Sequence, residues 1–256
     1  LSYDPEFVTT SGRERGPDDM VIVSCGIGTE YQEALHSTRL HCEKNVPEAW
    51  LLFYRDYPTG CPTQRESQYA FKIFAMKRAI VAGFRYVLWM DSCFQPLRSI
   101  EPLWEEILEH GWYVPRQQDA MLGNWSSDYF LQRTGTERSV AMQIPLVYSG
   151  LVGLDMNNRT ARDLWESWYR FWERGLFNGP HRNVPGGVMK PWGLKYEGHC
   201  SDDPTVQGHR HDESALSLIL HQWGLRPTTR GFLTLESPDG FIGHKVELVC
   251  PWIRSS

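Results

Sequence analysis

The residues best able to do chemistry fall in four places. Asp91 closes the apolar run Tyr86-Val87-Leu88-Trp89-Met90 and is followed by Ser92 and Cys93. A carboxylate at the carboxyl end of a buried strand is a natural ligand for a hard divalent cation holding a diphosphate. It is equally suited to capping the next turn. The densest polar cluster is His199-Cys200-Ser201-Asp202-Asp203 with His209-Arg210-His211-Asp212-Glu213. Its acids suit the N-terminal end of a helix dipole. Its imidazoles and thiol are zinc-ligand types, although their spacing fits no closed zinc site. Ser24, Gly26 and Gly28 end or follow a first apolar run, and the two glycines would let a ligand approach the backbone closely. Trp125 and Asp128 pair an aromatic face with a carboxylate that can accept hydroxyl hydrogen bonds. The same segment also reads as a helix start capped by Ser127 or Asp128.

These residues need a scaffold. The runs at 20–25, 50–54 and 86–90 are short and nearly continuous in apolar character, as expected of strands buried on both faces. Between them a helix is predicted from Thr29, placed as its N-cap, to about Glu43. A second is predicted from about Gln64 to Ala82, with Tyr69, Ile73, Met76, Ile80 and Phe84 on one face. That order makes a mostly parallel central sheet, with right-handed crossovers and helices on both faces, the economical α/β fold. Farther on, 100–110 reads as a helix, 112–114 as a fourth strand and 116–140 as a helix plus loops outside the sheet. Residues 146–155 read as an apolar segment broken by glycines, and 160–174 and 212–223 as helices. The Gly-, Pro- and His-rich stretch 178–209 is too long for a plain connector and reads as a functional loop.

Composition bounds the function. The chain has 256 residues and a formal net charge of −5, which argues against a broad nucleic-acid groove. No apolar run reaches the roughly 20 residues of a membrane span, and the polar first residues do not resemble a secretory signal. Six cysteines without a CxxC pair point to a reducing, cytoplasmic setting with most thiols buried as small hydrophobes. Gly26-Ile27-Gly28 lacks the third glycine of a dinucleotide fingerprint, and no GxxxxGK[ST] loop occurs.

Four segments, in order, resemble GT-A glycosyltransferases. Residues 71–93, a helix carrying Lys72 that leads into a strand ending at Asp91-Ser92-Cys93, resemble the region of their metal motif. Tyr148-Ser149-Gly150-Leu151-Val152-Gly153-Leu154-Asp155 resembles the later strand that lines donor sugar and acceptor. Asp212-Glu213-Ser214-Ala215-Leu216 resembles the helix start near the reaction centre, and Phe241-Ile242-Gly243-His244-Lys245 the histidine segment that supplies a further metal ligand. One departure stands out: Cys93 replaces the second acid of the usual triplet, and a thiolate is a poor ligand for Mg²⁺ or Mn²⁺.

The resemblance implies a Rossmann-like GT-A fold. Residues 1–17, polar and aperiodic, read as a loose leader, and 18–256 as one domain, with a nucleotide-binding half expected at 18–117 and an acceptor-binding half at 118–256. It implies a hexosyl- or pentosyltransferase moving a sugar from a nucleotide-sugar donor, UDP- or GDP-linked, to a hydroxyl. The acceptor would be a glycan, a small molecule or a modified nucleobase. Ser24, Gly26, Gly28 and Tyr31 would contact the nucleotide, and Lys72, which the helical stripe does not require to be buried, would neutralise the diphosphate. Trp125, Asp128, Ser149 and Gly150 would face the sugars. Asp212 or Glu213 would serve as general base, and Asp91 with His244 or His211 would hold Mn²⁺ or Mg²⁺. Two alternatives remain: a nucleotidyltransferase, and a non-catalytic nucleotide- or sugar-binding protein with a degenerate metal motif.

Overall fold

The computed structural model describes residues 5–9, 14, 16, 19–192, 195–228, 231–232, 240 and 242–244. The first part of the chain runs β1 (Val8–Thr9), β2 (Met20–Cys25), α1 (Thr29–Asn45), β3 (Trp50–Tyr54), α2 (Ala70–Val81) and β4 (Tyr86–Met90). There follow β5 (Phe94–Pro96), α3 (Glu101–His110), β6 (Trp112–Tyr113), β7 (Arg116–Met121), α4 (Asp128–Thr134) and α5 (Arg138–Ala141). Next come β8 (Pro145–Val147), β9 (Leu151–Asp155), α6 (Arg159–Glu173), β10 (Arg182–Asn183), β11 (Lys190–Trp192) and β12 (Lys195–Gly198). The last described elements are α7 (His211–Gln222) and β13 (Ile242–His244).

The main sheet has the order β1-β3-β2-β4-β9-β6. β2 pairs in parallel with β3 and β4, whereas β9 is antiparallel to both β4 and β6. β3, β2, β4 and β6 therefore point one way, and β9 and the short edge strand β1 run against them. The expected α/β architecture holds.

Alternation along the strands divides the core between the two faces. Val21, Val23, Val87, Trp89 and Val152 pack against Ile73 and Met76 of α2, Leu164 and Trp168 of α6 and Leu216 of α7. Ile22, Leu51, Leu88, Met90 and Leu151 pack on the other face against Cys42 of α1 and Leu103, Trp104 and Ile107 of α3. Helices thus cover both faces, and the carboxyl ends of β2, β3 and β4 open at one rim.

The structure departs from the sequence reading in four local ways. Gly28, at φ +86°, is the N-cap of α1, so Thr29 is already helical. The second helix starts at Ala70 rather than near Gln64. The Gln64 side chain accepts the Tyr69 N–H, and Tyr69 enters α2 in the left-handed conformation at φ 58°. Within 116–140, Arg116–Met121 is a strand, paired antiparallel with β8. The stretch 178–209 contains a small sheet of order β10-β12-β11.

Candidate active site

Asp91 stands one residue beyond the end of β4. Its backbone N–H donates to Gly150 O at 2.8 Å, which ties the end of β4 to the start of β9. Trp89 Nε1 donates to Asp91 Oδ1 at 2.7 Å, and Lys72 Nζ lies 3.6 Å from the same oxygen. The Asp91 side chain is 33% exposed, so its carboxylate reaches solvent while Lys72 and Trp89 stay inside. Gly150 makes this possible. A Cβ there would come within 2.8 Å of Asp91 Oδ2, 2.8 Å of the Phe94 ring and 2.5 Å of the Tyr148 ring.

Behind Asp91 lies a buried polar network. Lys72, from α2, is fully buried, contrary to the expectation that it need not be. Its ammonium donates to Ser149 O at 2.8 Å, Ser149 Oγ at 3.1 Å and Asp212 Oδ2 at 2.6 Å. Those three bonds use the three N–H groups of an ammonium, so Lys72 holds protein rather than a phosphate. Ser149 Oγ also donates to Asp212 Oδ2 at 2.6 Å, and Trp168 Nε1 donates to Asp212 O. Burial alone would lower the Lys72 pKa. The Asp212 and Asp91 carboxylates overcome it and hold the ammonium above its ordinary value.

Glu213 follows on the same helix. Its Oε2 is buried and makes no hydrogen bond among the described residues. Burial raises its pKa to about 7; Arg210 and Lys72 oppose the shift, and Asp212 and Asp91 add to it. Such a carboxyl can exchange a proton near neutrality.

Two aromatic residues outside the expected set pack around this network. The Tyr69 ring lies 5.1 Å from that of His211, and Lys72 Nζ is 5.8 Å from the Tyr69 ring and 5.4 Å from that of Trp89. Trp89 carries a sequence signal: two residues before Asp91 on an extended strand, it shares that residue's face. Tyr69 carries none, because its position depends on the turn before α2.

The remaining expected residues are distributed around this centre. Ser24 is buried at the end of β2. At Gly26 a Cβ would meet Tyr31 O at 2.3 Å, so this glycine serves loop packing rather than ligand approach. Gly28 is open, with nothing within 4 Å of a Cβ. Tyr31 packs with Ala34 and the buried Cys93. Trp125 lies under the Arg210 guanidinium, 4.0 Å from ring centroid to carbon, and its carbonyl accepts from Arg210 N–H and Ser214 Oγ. Asp128 is paired with Arg138 and accepts from Ser201 Oγ, while Ser127 caps α4 by accepting the Phe130 N–H.

Of the expected metal ligands, His211 is engaged elsewhere. His211, at φ 50°, donates its Nδ1–H to Phe177 O at 2.7 Å and stacks on His181, with ring centroids 5.6 Å apart. Burial holds its pKa well below the ordinary value, so its ring is neutral, and His209 meets it edge-on, with centroids 5.3 Å apart. His244 lies on β13 opposite Phe94. Its side chain, with all of Phe241 and Lys245, lies outside the described residues. Among the described residues no group of three or more His, Cys, Asp or Glu side chains could hold a metal ion. Asp91 has one oxygen engaged by Trp89 and Lys72, and the side chain of His244, its expected fellow ligand, lies outside the described residues, so no step below runs through a divalent cation. No described helix is long and apolar enough to cross a membrane.

No protein-family model and no curated protein matches the chain. Among solved structures it is similar to mouse xyloside xylosyltransferase 1 in its apo form, with TM-score 0.46, 10% identity, and 89% of this chain and 97% of that chain covered. It is similar also to a glycosyltransferase involved in glycosylating the major capsid of PBCV-1, with TM-score 0.46, 8% identity, and 88% and 94% covered. An active-site mutant of LgtC matches with TM-score 0.39 and 14% identity, over 92% of this chain and 90% of that chain. Likeness at this level leaves the chain's chemistry to its own residues.

Proposed function

We propose that the chain is a glycosyltransferase that moves a sugar from a nucleotide-sugar donor to a hydroxyl acceptor. The observation that carries this reading is Asp91: a carboxylate at the carboxyl end of a central strand, one-third exposed to solvent, with a buried polar network behind it. Ligands of open α/β sheets bind at that rim. Asp91 accepts hydroxyl hydrogen bonds from the donor, and Gly150, without a Cβ, lets the Asp91 carboxylate pack beside Phe94 and Tyr148 in the position that binding requires. Lys72 places positive charge beneath the leaving diphosphate without touching it.

Glu213 is the general base. As the acceptor oxygen bonds to the anomeric carbon, the bond from that carbon to the diphosphate oxygen breaks. The hydroxyl proton passes to the Glu213 carboxylate and the nucleoside diphosphate leaves. Asp212 is a positioning residue: its bonds to Lys72 and Ser149 fix the first turn of α7, from which Glu213 projects.

The experiment is donor hydrolysis across UDP-, GDP- and CMP-sugars, each with and without Mn²⁺ and Mg²⁺. The wild-type chain releases the nucleotide from at least one donor, and Asp91→Ala does not. Equal release by the variant removes Asp91 from the site, and no release from any donor by the wild type removes the reading.

A further inference from the structure

Beside His209, which packs against Gly179 of its lining, the structure holds a cavity of about 550 Å³. That volume is in the range of small-ligand pockets, about 300–1,000 Å³. It is built from the start of α4, the 175–180 loop after α6, Met189 before β11 and residues 199–200 after β12. The same loop supports the candidate active site. Phe177 O accepts from His211, and Pro180 O accepts the His209 N–H. The cavity wall and the segment leading into Asp212 are thus tied together through the backbone.

The lining has two kinds of surface. Tyr129 and Met189 expose about half their area, 52% and 50%, and with Pro180 supply an apolar platform. The polar groups are fixed. Asp128 receives both its Arg138 and Ser201 bonds on Oδ1, which leaves Oδ2 for a ligand. His199 Nδ1 accepts the Gly186 N–H, which leaves Nε2, 3.9 Å from Asp202 Oδ1, as the ring's donor. Asn178 adds an amide with both donor and acceptor. An aromatic face for C–H groups, ringed by held donors and acceptors, suits a pyranose, which offers one apolar face and a rim of hydroxyls. An aliphatic ligand would leave these polar groups without partners.

We propose that this cavity is a carbohydrate subsite. It takes a sugar residue of the acceptor other than the one modified, so the acceptor is an oligosaccharide. This rests on the transferase reading for the word acceptor, and on the cavity alone for the sugar.

The test probes a microarray of defined oligosaccharides with the fluorescently labelled full chain, as wild type, Tyr129→Ala and His199→Phe. The wild type binds a subset of the glycans, and Tyr129→Ala loses about tenfold of that binding while its thermal unfolding is retained. His199→Phe, which removes the Nε2–H donor, weakens the same glycans and serves where Tyr129→Ala does not fold. Binding unchanged in both variants overturns the proposal, as does a wild type that turns over a nucleotide sugar yet binds no glycan. Variant-sensitive glycan binding with no donor turnover supports the cavity and instead sinks the transferase reading.

Discussion

Lys72 Nζ lies 2.6 Å from Asp212 Oδ2, and neither side chain exposes more than 2% of its surface. Two ions this deep are each costly to bury, and each is tolerable because the other is there. The pair joins α2 to α7 across 140 residues of sequence and closes beneath Asp91, the member of the network that reaches solvent.

Removing one partner must therefore expose the cost of the other. Lys72→Met leaves Asp212 charged and uncompensated, and the chain should lose about 3–5 kcal/mol of stability. The double variant Lys72→Met/Asp212→Leu should recover much of that loss while staying inactive. Urea unfolding of the two variants beside wild type measures both. A Lys72→Met chain as stable as wild type would mean the ion pair does not form.

Asp91 answers the opposite way. Because its side chain is one-third exposed, Asp91→Asn should change stability by less than about 1 kcal/mol. Donor hydrolysis should fall by roughly 100-fold. The contrast with Lys72 is the point: one residue holds the fold of the site and the other faces its ligand. Comparing unfolding midpoints with initial rates of nucleotide release checks both halves.

Gly150 tests whether Asp91 is held where the reaction needs it. A Cβ at 150 collides with Asp91 Oδ2, Phe94 and Tyr148 at once. Two of these are rings of a packed pair, Phe94 and Tyr148, with centroids 5.7 Å apart, so they cannot both yield. Gly150→Ala should cost about 1–3 kcal/mol through overpacking. It should raise the KM for donor, because the carboxylate is the neighbour left to move. A KM unchanged by Gly150→Ala would show that Asp91 does not contact the donor.

Much of this is legible in the sequence, and the part that is not has identifiable causes. The strands β2, β3 and β4 announce themselves because a strand covered on both faces must be apolar along its length. Asp91, Ser149 and Asp212 stand out because each sits at the boundary of such a segment or of a helix. The burial of Lys72 is not legible. Helical spacing identifies Ile73 and Met76 as inward, but the partners that make a buried lysine acceptable lie 77 and 140 residues away. The start of α2 escapes a reading of periodicity because one side chain, Gln64, takes the backbone N–H of Tyr69 and delays the helix. The small sheet within 178–209 escapes it too, because its two- to four-residue strands are too short to show alternation.

Glu213 carries the last prediction, and its sign is set by burial. Its pKa is raised from 4.5 to about 7, so the folded chain binds this proton more tightly than the unfolded chain does. The folded state therefore bears no penalty from Glu213 below pH 4.5, and the penalty grows as pH rises and is complete above about 7. Glu213→Gln is uncharged throughout and escapes it. The variant should match wild type in unfolding temperature near pH 4.5 and exceed it at about pH 8. Its activity should move the other way, since a base must be ionised to accept a proton: wild-type turnover should rise to a plateau above about pH 7, and the glutamine variant should fall about 10²–10⁴-fold. More stability with less activity, in one substitution and over one pH window, separates a catalytic carboxylate from a structural one. A Glu213→Gln chain less stable than wild type at alkaline pH would show that the carboxylate is satisfied by partners and is not free to take the acceptor's proton.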